Sequence, residues 1–177
     1  MKTVGIAICL FVLCICVTSD SYSEVDSSEG SIADIKRIAC LPFSGEKIYR
    51  DYATSTFWKE LNKSGCIELV SFEKVRDEVS KNDINVDKIS DDDLTKLFKI
   101  LDCDAIFVCH LKRIKIAFIV GNNFAIVKLL RKGDLKNIFS VETEGGALTT
   151  LTHESCIITA ARKAAKKFIR YVKKNKK

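Results

Sequence analysis

The side chains in this chain of 177 residues that could do chemistry are few. The two histidines are His110 and His153. The stretch His153-Glu154-Ser155-Cys156-Ile157 starts like a zinc-protease helix. That chemistry needs a second histidine one turn later to share the metal, and Ile157 stands there instead. His153 is therefore read as a residue near a helix start. Cys103, Cys109 and His110 come nearest to a ligand set. On a strand the two cysteines would share one face and His110 would point to the other, so the three would not converge on one ion. The only proline, Pro42, precedes Phe43-Ser44-Gly45-Glu46-Lys47. A phosphate cradle needs several glycines and a Gly-Lys-Ser/Thr sequence, and neither is there. A nucleophile elbow needs glycines two residues either side of the serine, where Pro42 and Glu46 stand. The loop after Pro42 thus reads as a turn that starts a fold. We expect no catalytic, metal or cofactor-binding residues, and a chain that is not an enzyme; a small enzyme of unknown type is kept as the last alternative.

Charge gives a stronger signal. The net charge is +6, yet the stretch from Arg162 to Lys177 carries nine basic residues and no acid, leaving the rest at −3. Within it, Ile157, Ala161, Ala165, Phe168 and Val172 recur at helical spacing and should lie against a core. Arg162, Lys163, Lys166, Lys167, Arg170, Lys173 and Lys174 fill the remaining surface. Two readings apply. A basic side can simply be solvated, and cations near a helix carboxyl end are favoured by about 0.3–1 kcal/mol each. Residues as early as Arg162 lie beyond that turn, however, so these seven are the candidate face for an anionic partner: anionic lipid, cell-wall polymer or an acidic protein surface. Nucleic acid is not expected for an exported chain.

Export is suggested by the first residues. Lys2, an apolar run from Val4 to Val17 and small residues at Ser19, Ser21 and Ser23 have the layout of a signal peptide, and the run is too short to span a bilayer comfortably. The organisation expected is a signal peptide over 1–19, a flexible Ser-rich lead-in over 20–34, one globular domain over 35–174 and a basic tail end over 175–177. Cys9, Cys14 and Cys16 follow Ile8, Leu13 and Ile15, where a lipoprotein signal wants a small residue. An outer-membrane anchor is therefore less expected than a periplasmic or envelope location. Beyond the leader five cysteines remain, Cys40, Cys66, Cys103, Cys109 and Cys156. Their spacing matches no disulfide framework, and buried thiols are expected. Asn62-Lys63-Ser64 matches a glycosylation acceptor, a pattern too short to carry weight alone.

The elements that must position these residues are regular from Ile35 onward. Ile35–Phe43 reads as a strand apolar on both sides, and Glu46–Lys63 as a helix closed by Gly65. Cys66–Phe72 reads as a second strand and Glu73–Lys81 as a short helix. Ser90-Asp91-Asp92-Asp93 has capping-box spacing before another helix. A third strand from Asp104 runs on through Phe118 to a turn at Gly121-Asn122-Asn123, and a second turn at Lys132-Gly133-Asp134 completes an antiparallel meander. A helix from His153 to Lys173 closes the chain. The order β-α-β-α-α-β-β-β-α predicts an α/β fold of α+β character, with helices packed on a mixed sheet.

"IACLPFSG", the spacing of Asp51, Thr54, Phe57 and Leu61, then "IELVSFEKVRDEV" and "LTKLFKILDCDAIFV", together resemble the CsgG-like domain, the superfamily of curli-secretion and LpoB-type penicillin-binding-protein activator lipoproteins. The resemblance covers Ile35 to about Tyr171. It implies an envelope location, no catalysis, and action through contact with an envelope protein partner, as an accessory or assembly factor or as a subunit of a secretion or envelope ring. The clear lipoprotein signal usual in such proteins is missing here. No spare pair of alternating strands is left over for a membrane barrel, which favours the accessory role, and oligomerisation is compatible with either.

Overall fold

The computed structural model describes residues 31–116, 120–145 and 153–176. Its elements are β1 (Arg37–Cys40), α1 (Lys47–Ser64), β2 (Glu68–Leu69), α2 (Phe72–Lys81), α3 (Asp91–Leu101), β3 (Ala105–Ile116), β4 (Val120–Arg131), β5 (Asn137–Glu144) and α4 (His153–Asn175). The expected order is the observed one, an α+β fold with four helices on a mixed five-stranded sheet. The strands lie in the order β2-β1-β3-β4-β5. β1 pairs in parallel with β2 and β3, which requires the crossovers through α1 and through α2–α3. β3, β4 and β5 pair antiparallel and need only turns.

Local sequence explains most element ends. Gly65 closes α1 with φ +60°, the left-handed conformation of a helix C-cap, and its N–H bonds Asn62 O. The Ser71 hydroxyl accepts from the Lys74 N–H at the start of α2. At α3 the expected capping box forms between Ser90 and Asp93. The Asp104 carboxylate accepts the N–H groups of Lys36 and Arg37, each at 2.9 Å, and so pins the start of β1 beside β3.

The two sheet faces bury different side chains. Cys40, Phe107, Cys109, Val127 and Phe139 pack with Phe57 of α1 and Phe168 of α4. Ala39, Leu41 and Ile106 face the other way, against Val75 of α2 and Leu97 and Leu101 of α3. α1 and α4 therefore form one layer, and α2 and α3 the opposite one.

Three expectations need correction. Gly121-Asn122-Asn123 is not a turn: it lies inside β4, opposite Lys115, Ile114 and Arg113. Ile116 already pairs with Val120, on either side of 117–119, which lie outside the described residues; the continuous β3–β4 ladder from there to Ala105 and Arg131 outweighs the local turn signal. The second strand is only Glu68–Leu69, because the chain leaves α1 at Gly65 and caps α2 at Ser71. Cys103 and Cys109 do not share a face. Cys103 precedes β3, just after Asp102 at φ +49°, so strand alternation does not reach it; it packs beside α3 while Cys109 packs beside α1 and α4. In addition, Ile32, inside the stretch expected to be a flexible lead-in, is buried in the α1–α4 core. The expected signal peptide lies outside the described residues.

Candidate anionic-partner face on helix α4

All five residues of the stripe expected to be apolar, Ile157, Ala161, Ala165, Phe168 and Val172, are buried, together with Cys156, Ala160 and Ala164. The run of alanines lets α4 approach α1 and the sheet closely. At Gly145, a Cβ would come within 1.9 Å of Cys156 O, so only glycine fits beneath the helix start. Thr143 Oγ1 donates to Ala160 O at 2.8 Å, and Tyr171 OH donates to Ile138 O at 3.1 Å. These bonds place the start of α4 at the end of β5 and its last turns at the beginning of β5. Because α1 likewise returns from the end of β1, and β1, β3 and β5 point one way, the two helices run side by side in the same direction.

The seven basic residues occupy the side of α4 away from this core. Six are exposed and Lys167 is partly buried. The rims are tied to neighbours: Arg162 Nε lies 3.4 Å from Glu60 Oε1 on α1, and Lys163 Nζ donates to Glu144 O at 3.1 Å on the edge strand β5. Burial, then the nearby Lys163 and Arg170, hold the Lys167 ammonium below the ordinary lysine pKa. Like charges are thus close enough to oppose one another, and an anion laid across them would relieve that repulsion. Sequence reasoning missed two residues of the same surface. Lys59 and Lys63 on α1 are exposed, and the buried Phe57 and Leu61 point the other way. Their spacing of four was readable, but Asp51 and Glu60 on the same helix hid any basic bias.

The loop after Pro42 is a hydrogen-bonded corner. Leu41 N bonds Phe107 O; Pro42 has no N–H to offer; Phe43 N leaves the sheet for Thr54 Oγ1 at 3.0 Å; Ser44 N then rejoins it at Cys109 O. Ser44 Oγ lies 3.1 Å from Cys109 O and 2.9 Å from His110 Nδ1. Gly45, at φ +99°, donates its N–H to Asp87 Oδ1, and Arg50 bridges Gly45 O to the Asp87 carboxylate. These bonds join β1, α1, β3 and the α2–α3 connection. The five cysteines are free thiols: Cys40, Cys103, Cys109 and Cys156 are buried and Cys66 is half-buried. Burial pushes Cys103 up to about 11 and holds Cys40 and Cys109 well above the ordinary thiol range, far from thiolate chemistry. Among the described residues no three of His, Cys, Asp and Glu gather around a common point; the side chain of His153 lies outside them.

No family model matches the chain, and no curated protein matches it. Among solved structures it is similar to a PelC dodecamer from Paraburkholderia phytofirmans, with TM-score 0.51 and 10% identity over 80% of this chain and 94% of that one. Weaker likenesses are to lipoprotein GNA1162 from Neisseria meningitidis (TM-score 0.49, 15% identity, 66% of this chain and 86% of that one) and to hypothetical protein CT253 from Chlamydia trachomatis (TM-score 0.46, 12% identity, 79% and 99%). What the chain shares with PelC at this identity is the fold.

Proposed function

We propose that this chain is a non-catalytic, exported envelope module that docks through the outer face of α4 onto an anionic partner and serves as an accessory or assembly factor. The observation that carries the reading is the run of seven basic residues on the solvent side of a helix whose other side is fully packed. The resemblance to the CsgG-like domain, read from the sequence, supports the envelope setting. In this reading Ser44 and His110 hold a corner, and no turnover is assigned to the chain.

A second reading, as a subunit of a secretion or envelope ring, is favoured by the fold likeness to PelC, whose solved structure is a dodecamer. Crosslinking in the native envelope followed by pull-down tests the first: an anionic partner, whether lipid, polymer or protein, should be captured, and the combined Lys166→Glu, Lys167→Glu and Arg170→Glu variant should lose it while its thermal midpoint stays near that of the parent. Capture unchanged by the triple variant sinks the docking face. Size-exclusion chromatography separates the two readings, since a monomer supports the accessory role and a stable ring supports the other.

A further inference from the structure

Ile48 and Tyr52 are the exposed large hydrophobic side chains among the described residues, at 76% and 50%. They stand one turn apart near the start of α1, on the side opposite the buried Ala53, Phe57 and Leu61. Lys59 and Lys63 continue that side along the helix. Because α1 and α4 lie side by side over one sheet face, with Arg162 and Glu60 paired between them, the outer sides of both helices form one surface. It carries an apolar pair at one end of α1 and a preponderance of lysines and arginines elsewhere, with Glu60 as an acid between the two helices.

We propose that this surface lies on a bilayer containing anionic lipid. The basic side chains meet headgroup phosphates, and Ile48 and Tyr52 enter the interface. This rests on the docking reading of α4 and names its partner. A polyanionic polymer would neutralise the charges but would offer no apolar phase to Ile48 and Tyr52, whereas the lipid interface takes an aliphatic and an aromatic side chain beside a basic face. No helix among the described residues is long and apolar enough to cross a membrane. The proposed contact runs along the surface, over a helix about 34 Å long.

Vesicle co-sedimentation of the full chain and its variants tests this, any contribution of residues 1–19 being common to all. The parent should bind phosphatidylcholine vesicles containing phosphatidylglycerol and not pure phosphatidylcholine. Each basic residue at an anionic surface is worth on the order of fivefold in affinity, so the Lys166→Glu, Lys167→Glu, Arg170→Glu variant should show no measurable binding. Ile48→Ser with Tyr52→Ser should weaken binding about tenfold with the thermal midpoint unchanged, since neither side chain is in the core. A double serine variant that binds as the parent does overturns the proposal, as does a parent that ignores phosphatidylglycerol. If the parent ignores these vesicles yet the triple variant still loses the crosslinked envelope partner, the lipid assignment falls and the docking reading stands.

Discussion

Gly45 shows how narrowly one position is determined. Its φ of +99° lies in the region that side chains rarely adopt, and a Cβ there would sit 2.3 Å from Leu111 O, a backbone atom held in the sheet by the bond from Leu111 N to Ser44 O. Gly65 provides a control: its φ is +60°, but nothing lies within 4 Å of an added Cβ. Gly65→Ala should therefore cost only the conformational term, about 1–2 kcal/mol. Gly45→Ala adds a clash with a fixed carbonyl and should cost about 2–4 kcal/mol. In a chain of this size each kcal/mol moves the thermal midpoint by about 2–4 °C, so the two variants should separate clearly in a melting experiment. Equal midpoints would mean that the corner yields and that Ser44, His110 and Gly45 do not fix the approach of β1 to β3.

At the scale of elements, three carboxylates hold loops to their neighbours. The Gly45 N–H, and then Arg50, keep Asp87 below the usual carboxylate range; the Ser90 hydroxyl and N–H do the same for Asp93; Arg131 and the Lys136 N–H bring Asp134 down to about 2. Each folded pKa lies below the unfolded one. Their contribution is therefore fully present above the ordinary aspartate value and is lost as pH falls through the folded values. Melting followed by circular dichroism should show the midpoint dropping between about pH 4 and about pH 2, and Asp87→Asn should lower the midpoint at neutral pH while flattening part of that acid limb. All three groups are solvent-screened, so the effect should be modest; an identical acid limb in Asp87→Asn would exclude Asp87 as a contributor. These same elements mark what the sequence made legible. The capping box at Ser90, the C-cap at Gly65 and the packed stripe of α4 are written within one or two helical turns, and the structure has each where the local sequence puts it. The tie from Asp87 to Gly45 and the alignment of Lys59 and Lys63 with the α4 surface depend on partners far away in the chain, which local periodicity does not encode; the early start of β4 and the face of Cys103 turn on a hairpin pairing and on the left-handed Asp102, which side-chain period does not mark either. For the candidate face, exposure of six of the seven basic residues follows from helical period alone, whereas the partial burial of Lys167 and the ties of Arg162 to Glu60 and Lys163 to Glu144 require the assembled layer.

For the whole molecule, one line of aromatic rings couples the separate elements. Phe43 and Phe57 meet edge to face at 5.8 Å, Phe57 and Phe107 at 5.1 Å, Phe107 and Phe168 at 4.8 Å, and Phe168 and Phe139 at 5.2 Å. The line runs from the corner after β1 through α1 and β3 to α4 and β5, so α4 is part of the same core that positions the Ser44 corner. Phe168 touches two of these rings from the buried side of the helix that carries the basic face. Phe168→Ala should therefore cost about 3–5 kcal/mol, the range for removing a buried aromatic side chain and leaving a cavity. Trp58, the only tryptophan, sits on α1 with its Nε1–H bonded to Val70 O at 3.2 Å, beside the start of α2 and away from Phe168. If the sheet and its two helical layers fold as one unit, tryptophan fluorescence and circular dichroism of Phe168→Ala should shift together to lower denaturant with an unchanged slope. The Lys166→Glu, Lys167→Glu, Arg170→Glu variant, altered on the opposite side of the same helix, should leave both curves nearly where they were. Fluorescence that holds its midpoint in Phe168→Ala while circular dichroism falls would instead show that α4 with its basic face unfolds apart from the β1–α1 corner, and that the aromatic line does not couple the two.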